Sequence, residues 1–208
     1  MKSQEFWTIP NLLTYFRILL IPAIVVLIFE GSWETLTWAL VLYGISALTD
    51  TFDGILARKL NQSTAWGAYI DPLADKFLVW AVYGVFCTLP FLHIPWYVVL
   101  LIVLRDLWIT WLRGYAKRHN LSFSTSFIAK AKTTFQMTGI TIILIFMWVI
   151  RTIGKWWYNT LDFVLVMKRI GLPLWVEYFP LVLTIIIVLF TIYTGWDYTR
   201  TLFGGEKK

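Results

Sequence analysis

Asp50-Thr-Phe-Asp-Gly-Ile-Leu-Ala-Arg58, eight intervening residues, then Gly67-Ala-Tyr-Ile-Asp-Pro-Leu-Ala-Asp75 is the stretch on which the reading of this chain turns. Asp50, Asp53, Asp71 and Asp75 border long apolar runs. A charge at the middle of a membrane helix costs about 2.5–3.5 kcal/mol on insertion scales, so four carboxylates together need opposite charge. A pair of divalent cations bridging them is the simplest source. Asp50 and Asp53 are three residues apart and Asp71 and Asp75 four, so each pair shares a helical face. The turn Lys59-Leu-Asn-Gln-Ser-Thr64 brings the two faces together. Oxygen-only donors suit magnesium or manganese, not zinc or copper. Two such ions about 3.5–4 Å apart clamp the attacking and leaving oxygens of an in-line displacement at phosphorus. Gly54, Ala57 and Gly67 leave room for a substrate on the aspartate faces, and Arg58 offers a bidentate phosphate partner. Pro72 marks either a helix start or a kink. Taken singly, such aspartates are caps or solvated helix ends. Four at this spacing, with small residues between them, form a site.

The surroundings set the class. Of 208 residues, 59% are hydrophobic and 14% charged, with mean hydropathy +0.69, whereas soluble domains are about 45–50% apolar and about 25% charged. The chain reads as an all-α, polytopic membrane protein in a single domain spanning 1–208. Six apolar stretches approach the roughly 20 residues that cross a bilayer, near 9–29, 35–58, 69–91, 94–113, 128–150 and 176–199. The first is read as a retained span and not a cleaved signal, because no small-residue cleavage site follows it. Residues 1–8 form a short interfacial helix anchored by Phe6 and Trp7. Residues 151–175, polar yet rich in tryptophan, read as an amphipathic segment on the outer surface. The single cysteine, Cys87, excludes a disulfide framework.

Charge sets the orientation. Six spans leave both termini on one side, with Lys2, Arg58, Lys59, Arg113, Lys117, Arg118, Lys130, Lys132, Arg200, Lys207 and Lys208, against Arg151, Lys155, Lys168 and Arg169 opposite. Eleven against four places both termini, and the aspartates, in the cytoplasm. The net charge of +6 lies between apolar spans, which fits membrane orientation and an anionic substrate and excludes nucleic acid as the partner.

The pattern Asp50-x2-Asp53-Gly54-x2-Ala57-Arg58-x8-Gly67-x3-Asp71-x3-Asp75, eight fixed positions over 26 residues, resembles the signature of the CDP-alcohol phosphatidyltransferase family without departure. The resemblance implies a six-helix membrane enzyme that moves the phosphatidyl group of a CDP-lipid to an alcohol and releases CMP. It implies that Asp50, Asp53, Asp71 and Asp75 bind two Mg2+ or Mn2+ ions and that Asp75 is also the general base. It implies that Gly54, Ala57, Arg58 and Gly67 line the cytidine-diphosphate pocket, and that the enzyme is a homodimer.

A second, basic set bears on the acceptor. Arg105 and Arg113 lie eight apart in the fourth run, and Lys130 and Lys132 open the fifth. An arginine within Ile-Val-Leu-Arg105-Asp is costly unless it pairs or binds an anion. Asp106 is the structural partner, and positive-inside orientation is the plain reading of the lysines. As a group the four cations favour an acceptor that carries phosphate. Ile9-Pro-Asn-Leu-Leu-Thr-Tyr-Phe-Arg17, Asn61-Gln-Ser-Thr64 and Lys130-Ala-Lys-Thr-Thr-Phe-Gln-Met137 are similar to the bacterial branch of the family that takes sn-glycerol 3-phosphate and makes phosphatidylglycerophosphate. CDP-diacylglycerol and glycerol 3-phosphate are then the substrates, phospholipid biosynthesis the role, and the bacterial inner membrane, among its lipids, the location. Cardiolipin synthases that use a CDP-lipid share the N-terminal pattern and are the alternative. Arg17 lies at the depth of the aspartates, and Asn11 is either a helix cap or part of the nucleotide site. An ion transporter would also place carboxylates in a bundle, but with interrupted helices in two halves, which this chain lacks.

Overall fold

The computed structural model describes residues 8–59, 67–119, 127–158, 160 and 162–204. Within its helices, the side chains of residues 9, 10, 50–59, 67–69, 71, 72, 117, 127–132, 174 and 204 lie outside the description. The described residues are helical throughout, joined by short turns, with no strand among them. The elements are α1 (Ile9–Glu30), α2 (Trp33–Lys59), α3 (Gly67–Thr88), a 3-10 turn (Pro90–Leu92), α4 (Trp96–Arg118), α5 (Phe127–Tyr158), α6 (Phe163–Ile170), a 3-10 turn (Leu174–Tyr178) and α7 (Phe179–Gly204).

Each of the six expected apolar runs is a helix. Three segments are long and apolar enough to cross a membrane by length and composition: Asn11–Glu30, Thr133–Tyr158 and Trp175–Phe203. Among the described residues no such segment is found in α2, α3 or α4, the helices that carry Asp50, Asp53, Asp71, Asp75, Arg105 and Asp106. The chain is an all-α membrane protein.

α1 packs on α2 and α3, α4 packs on α7, and α5 joins the two groups through α2 and α7. Ile24, Ile28, Leu36, Leu78, Tyr83, Phe86, Ile140 and Ile143 are buried where these helices meet. The buried stripe of α1 changes character along its length: Asn11, Thr14 and Arg17 near its start, then Ile21, Ile24 and Ile28. One stripe thus serves a polar end and an apolar end of the same bundle.

The tryptophan-rich segment beyond residue 150 divides between the end of one helix and a short helix that follows it. α5 continues unbroken to Tyr158, and α6 turns back on it and buries Phe163, Val166 and Met167 against Ile150 and Ile153. Asp162 caps α6, its side chain accepting the Leu165 N–H at 3.0 Å, and Lys168 and Arg169 complement the dipole of its last turn. The fold-back needs Gly154, because a Cβ there would meet Thr160 O and Val166 Cγ2 at 2.7 Å. Phe91 stacks on Phe163 at 4.5 Å, and Trp33 meets Trp156 at 6.3 Å. The segment packs as a cap, with the amphipathic α6 laying its apolar face on the end of α5. Of the expected N-terminal helix, residues 1–7 lie outside the described residues.

Candidate active site

The end of the bundle opposite that cap gathers the polar side chains. α3 begins at Gly67, so Pro72 is not its first residue, and Asp75 follows within the same helix. The side chain of Asp75 is 21% exposed and forms an ion pair with Arg17 of α1, whose side chain is fully buried. Burial of a guanidinium is tolerated when a carboxylate meets it. The sequence placed Arg17 at the right depth and assigned it no partner. Asn11 is 3% exposed and lies inside α1, which Thr8 caps. It is therefore not the cap, and it stands on the same buried stripe as Arg17.

Asp75 opens onto a polar cavity of about 100 Å³ lined by Asp75, Lys76, Val79, Asp106, Arg113, Thr133 and Gln136. A second pocket of about 60 Å³ shares Lys76, Asp106, Arg113 and Thr133 with it and extends to Arg105, Ile109 and Tyr198. The two adjoin across these shared residues and together form a polar passage between α3, α4, α5 and α7. Among the described residues its walls carry two carboxylates, Asp75 and Asp106, and three cations, Lys76, Arg105 and Arg113.

Two of the four expected acceptor cations are described within this passage. Arg105 donates from Nε to the Thr191 carbonyl at 2.9 Å, from one terminal nitrogen to Thr194 Oγ1 at 2.8 Å and from the other to Asp106 at 3.3 Å. The Asp106 pairing that the sequence offered is therefore present, along with an anchor to α7 that it did not reveal. Gly195 gives that anchor room, since a Cβ there would sit 3.0 Å from Arg105 Nε. Arg113 lies over the Tyr198 ring at 5.7 Å. Lys130 and Lys132 belong to the first turns of α5, and their side chains lie outside the described residues, as do those of Asp50, Asp53, Gly54, Ala57, Arg58, Gly67 and Asp71.

Lys76 was not singled out from the sequence. It is the residue after Asp75, half-buried, and its ammonium donates to Thr110 Oγ1. A cation adjoining the last carboxylate of a metal-spaced set was the available signal. A wider apolar groove of about 610 Å³ lies between α4 and α7, along Leu101, Trp108, Ile192 and Trp196. Arg105 lines both this groove and the polar passage.

Comparison with known proteins settles the family. Residues 7–193 match the CDP-alcohol phosphatidyltransferase family. The chain belongs to it. Among curated relatives, the chain is 36% identical over 141 residues to a protein of Wigglesworthia glossinidia brevipalpis, covering 65% of this chain and 76% of that one. It is 41% identical over 146 residues to a protein of Salmonella choleraesuis and 40% identical over 146 to one of Escherichia coli, each covering 66% of this chain and 77% of the relative. All three relatives are named CDP-diacylglycerol–glycerol-3-phosphate 3-phosphatidyltransferase. As a CDP-alcohol phosphatidyltransferase, the protein is a membrane-embedded transferase that uses a CDP-lipid donor.

Proposed function

We propose that this phosphatidyltransferase moves the phosphatidyl group of CDP-diacylglycerol to a primary hydroxyl of sn-glycerol 3-phosphate, giving phosphatidylglycerophosphate and CMP. The observation that carries the reading is the polar passage, in which Asp75 shares one pocket with Lys76 and Arg113 and the adjoining pocket runs from Arg113 to Arg105. An acceptor that brings both a nucleophilic hydroxyl and a phosphate matches a carboxylate and cations lining adjoining pockets. The names of the relatives point to the same acceptor.

The donor set fits a hard divalent cation. Asp50, Asp53, Asp71 and Asp75 offer carboxylate oxygen alone, and Asp75, the one described, is partly exposed at the cavity. These four residues would hold two Mg2+ or Mn2+ ions, which when bound supply charge stabilisation to the transferring phosphoryl group. The protein's own part is positioning. Asp75 accepts the proton of the acceptor hydroxyl as that oxygen bonds to phosphorus and the bridging oxygen departs with CMP. Arg17 restrains the Asp75 carboxylate from α1. Arg58 holds donor diphosphate, Gly54, Ala57 and Gly67 leave room for it, and Asn11 orders the nucleotide end. Arg113 and Lys76 receive the acceptor phosphate with Arg105, joined by Lys130 and Lys132 at the start of α5.

The same reading places all six long helices across the bacterial inner membrane, with both termini and the passage facing the cytoplasm and a second copy of the chain completing a homodimer. Purified protein in lipid, given magnesium, CDP-diacylglycerol and sn-glycerol 3-phosphate, should release CMP, and excess chelator should stop it. Turnover that persists after metal is stripped overturns the metal assignment. Faster CMP release with phosphatidylglycerol than with glycerol 3-phosphate overturns the acceptor and makes the protein a cardiolipin synthase.

A further inference from the structure

Arg105 borders two unlike spaces, the polar passage and the apolar groove along Leu101, Trp108, Ile192 and Trp196. The cavity walls alone therefore impose no direction on its long side chain. That part falls to α7. The stem of Arg105 lies along Gly195, where a Cβ would stand 3.0 Å from Nε and 3.2 Å from Cγ. Beyond the stem, Nε donates to the Thr191 carbonyl at 2.9 Å and one terminal nitrogen donates to Thr194 Oγ1 at 2.8 Å.

These two donors form the side edge of the guanidinium, one of the edges with which an arginine grips an oxyanion through two parallel bonds. Here that edge is committed to α7. A phosphate can then be met only through the terminal nitrogens, one of which stands 3.3 Å from Asp106. Thr194 is suited to hold the edge. Its hydroxyl gives its own proton to the Thr191 carbonyl at 2.9 Å, the same carbonyl that receives Arg105 Nε. Toward Arg105 it therefore acts as an acceptor, as a cation requires. Thr191 is 1% exposed and Thr194 4%, so these bonds form in a low-dielectric setting that strengthens them. Gln136, in the wall of the larger pocket, donates to Thr191 Oγ1 at 3.4 Å and braces the same place from α5.

We infer that Thr194 is a positioning residue for the acceptor: it holds the side edge of Arg105 on α7 and so turns the rest of the guanidinium toward the acceptor phosphate. The inference rests on the acceptor proposed above. Without the Thr194 oxygen a guanidinium N–H is left short of an acceptor, and a buried donor without a partner is costly. The side chain turns to find one, and the nitrogens that meet the phosphate turn with it. That phosphate takes no part in the bond changes at the donor. The loss therefore falls on acceptor binding and leaves the chemical step largely intact.

The test assays the full-length enzyme in lipid for CMP release, varying sn-glycerol 3-phosphate and CDP-diacylglycerol in turn. Thr194→Val keeps the shape and loses the hydroxyl. It should raise the KM for glycerol 3-phosphate roughly tenfold, as for one hydrogen bond to a charged group, with kcat and the KM for CDP-diacylglycerol little changed. Thr194→Ser, which restores the oxygen, should recover the wild-type KM. In an Arg105→Ala background there is no guanidinium to aim, so adding Thr194→Val should have no further effect. Arg105→Met carries that comparison if the alanine variant does not fold, and Thr194→Ala stands in for Thr194→Val in the same event. Should neither Arg105 variant fold, the split between the two KM values and the serine rescue decide. An unchanged acceptor KM, equal losses for both substrates, or a loss that persists without Arg105 overturns the inference. So does failure of both Thr194→Val and Thr194→Ala to fold, which makes the hydroxyl structural. In each of those cases the acceptor still stands. If Arg105→Ala leaves the acceptor KM unmoved, Arg105 does not hold the phosphate, and its place in the proposed site falls together with the inference.

Discussion

Arg17 and Arg151 stand at opposite ends of the bundle and meet different surroundings. Arg17 has a fully buried side chain, and its partner is the Asp75 carboxylate on another helix. Arg151 is half-buried and lies over the rings of Phe91 and Phe163, at 5.5 and 5.9 Å. Around Arg17 are Asn11, Thr14 and a polar passage with carboxylates and cations on its walls. Around Arg151 are the aromatic core of the cap and, at the surface, Lys155 paired with Glu34 and lying 4.1 Å from the centre of the Trp33 ring. One end keeps formal charges facing each other in a low-dielectric setting, where they are strong and costly to disturb. The other sets Arg151 over aromatic rings, pairs Lys155 with Glu34 at the surface and closes with apolar packing. The difference separates an end organised for chemistry from an end organised to close the fold.

The most severe way to break the comparison is at Asp75. Asp75→Asn keeps the volume and removes the ability to take a proton at neutral pH. The rate of CMP release should fall by about 10²–10⁴-fold, while CDP-lipid binding, measured by titration on the inactive protein, stays largely intact. A variant that retains more than about a tenth of the rate removes Asp75 as the base.

Arg17→Met comes next. Removing one partner of a buried ion pair costs about 3–5 kcal/mol, and the partial exposure of Asp75 moves the expectation to the low end of that range. The loss should appear in the thermal midpoint of metal-free protein and shrink when Mg2+ is added, because a ligand that binds only the folded state restores stability by mass action. Arg17→Lys should recover part of it. Equal destabilisation with and without Mg2+ would reduce Arg17 to ordinary packing.

Arg151→Leu should do less and do it elsewhere. A cation over a partly desolvated ring contributes about 0.5–2 kcal/mol, so the cap should loosen while CMP release remains. Hydrogen exchange in α6 should quicken and that around Asp75 should not. A change in acceptor KM would connect the two ends and sink the contrast drawn above.

The smallest effect lies at Glu34, which precedes the second apolar run. Its hydrogen bond to Lys155 holds its carboxyl below the usual value of 4.5. A depressed pKa contributes stability that is fully present above the ordinary glutamate value and is lost as pH falls through the lowered one. The pair is solvent-exposed and salt-screened, so Glu34→Gln should flatten a shallow acid-side slope of the thermal midpoint at low ionic strength. In high salt the two proteins should be indistinguishable.

Much of this architecture was legible in the residue pattern, for physical reasons. Long apolar runs bounded by charge have to be helices in a bilayer, since only hydrogen-bonded segments cross it, and the six runs appear as six long helices. The spacing of Asp50, Asp53, Asp71 and Asp75 is a local property of two helices, so the carboxylate motif could be read without tertiary information. The fold-back of α6 could not, because it depends on Gly154 admitting Thr160 and Val166 at close range, a contact between segments that periodicity does not encode.

The pairing of Arg17 with Asp75 spans 58 positions, and the anchoring of Arg105 on Thr191 and Thr194 spans 86 and 89. Neither separation leaves a trace in spacing. Chain composition and local spacing alone determined the class of the protein, its helices and the helical spacing of its aspartates, because those follow from hydropathy and from 3.6 residues per turn. Only the tertiary structure decided which cation faces which acid and that Lys76 and Asp106 share a passage with Asp75. Those are set by how α1, α3, α4 and α7 pack, and packing is a property of surfaces brought together from distant parts of the chain.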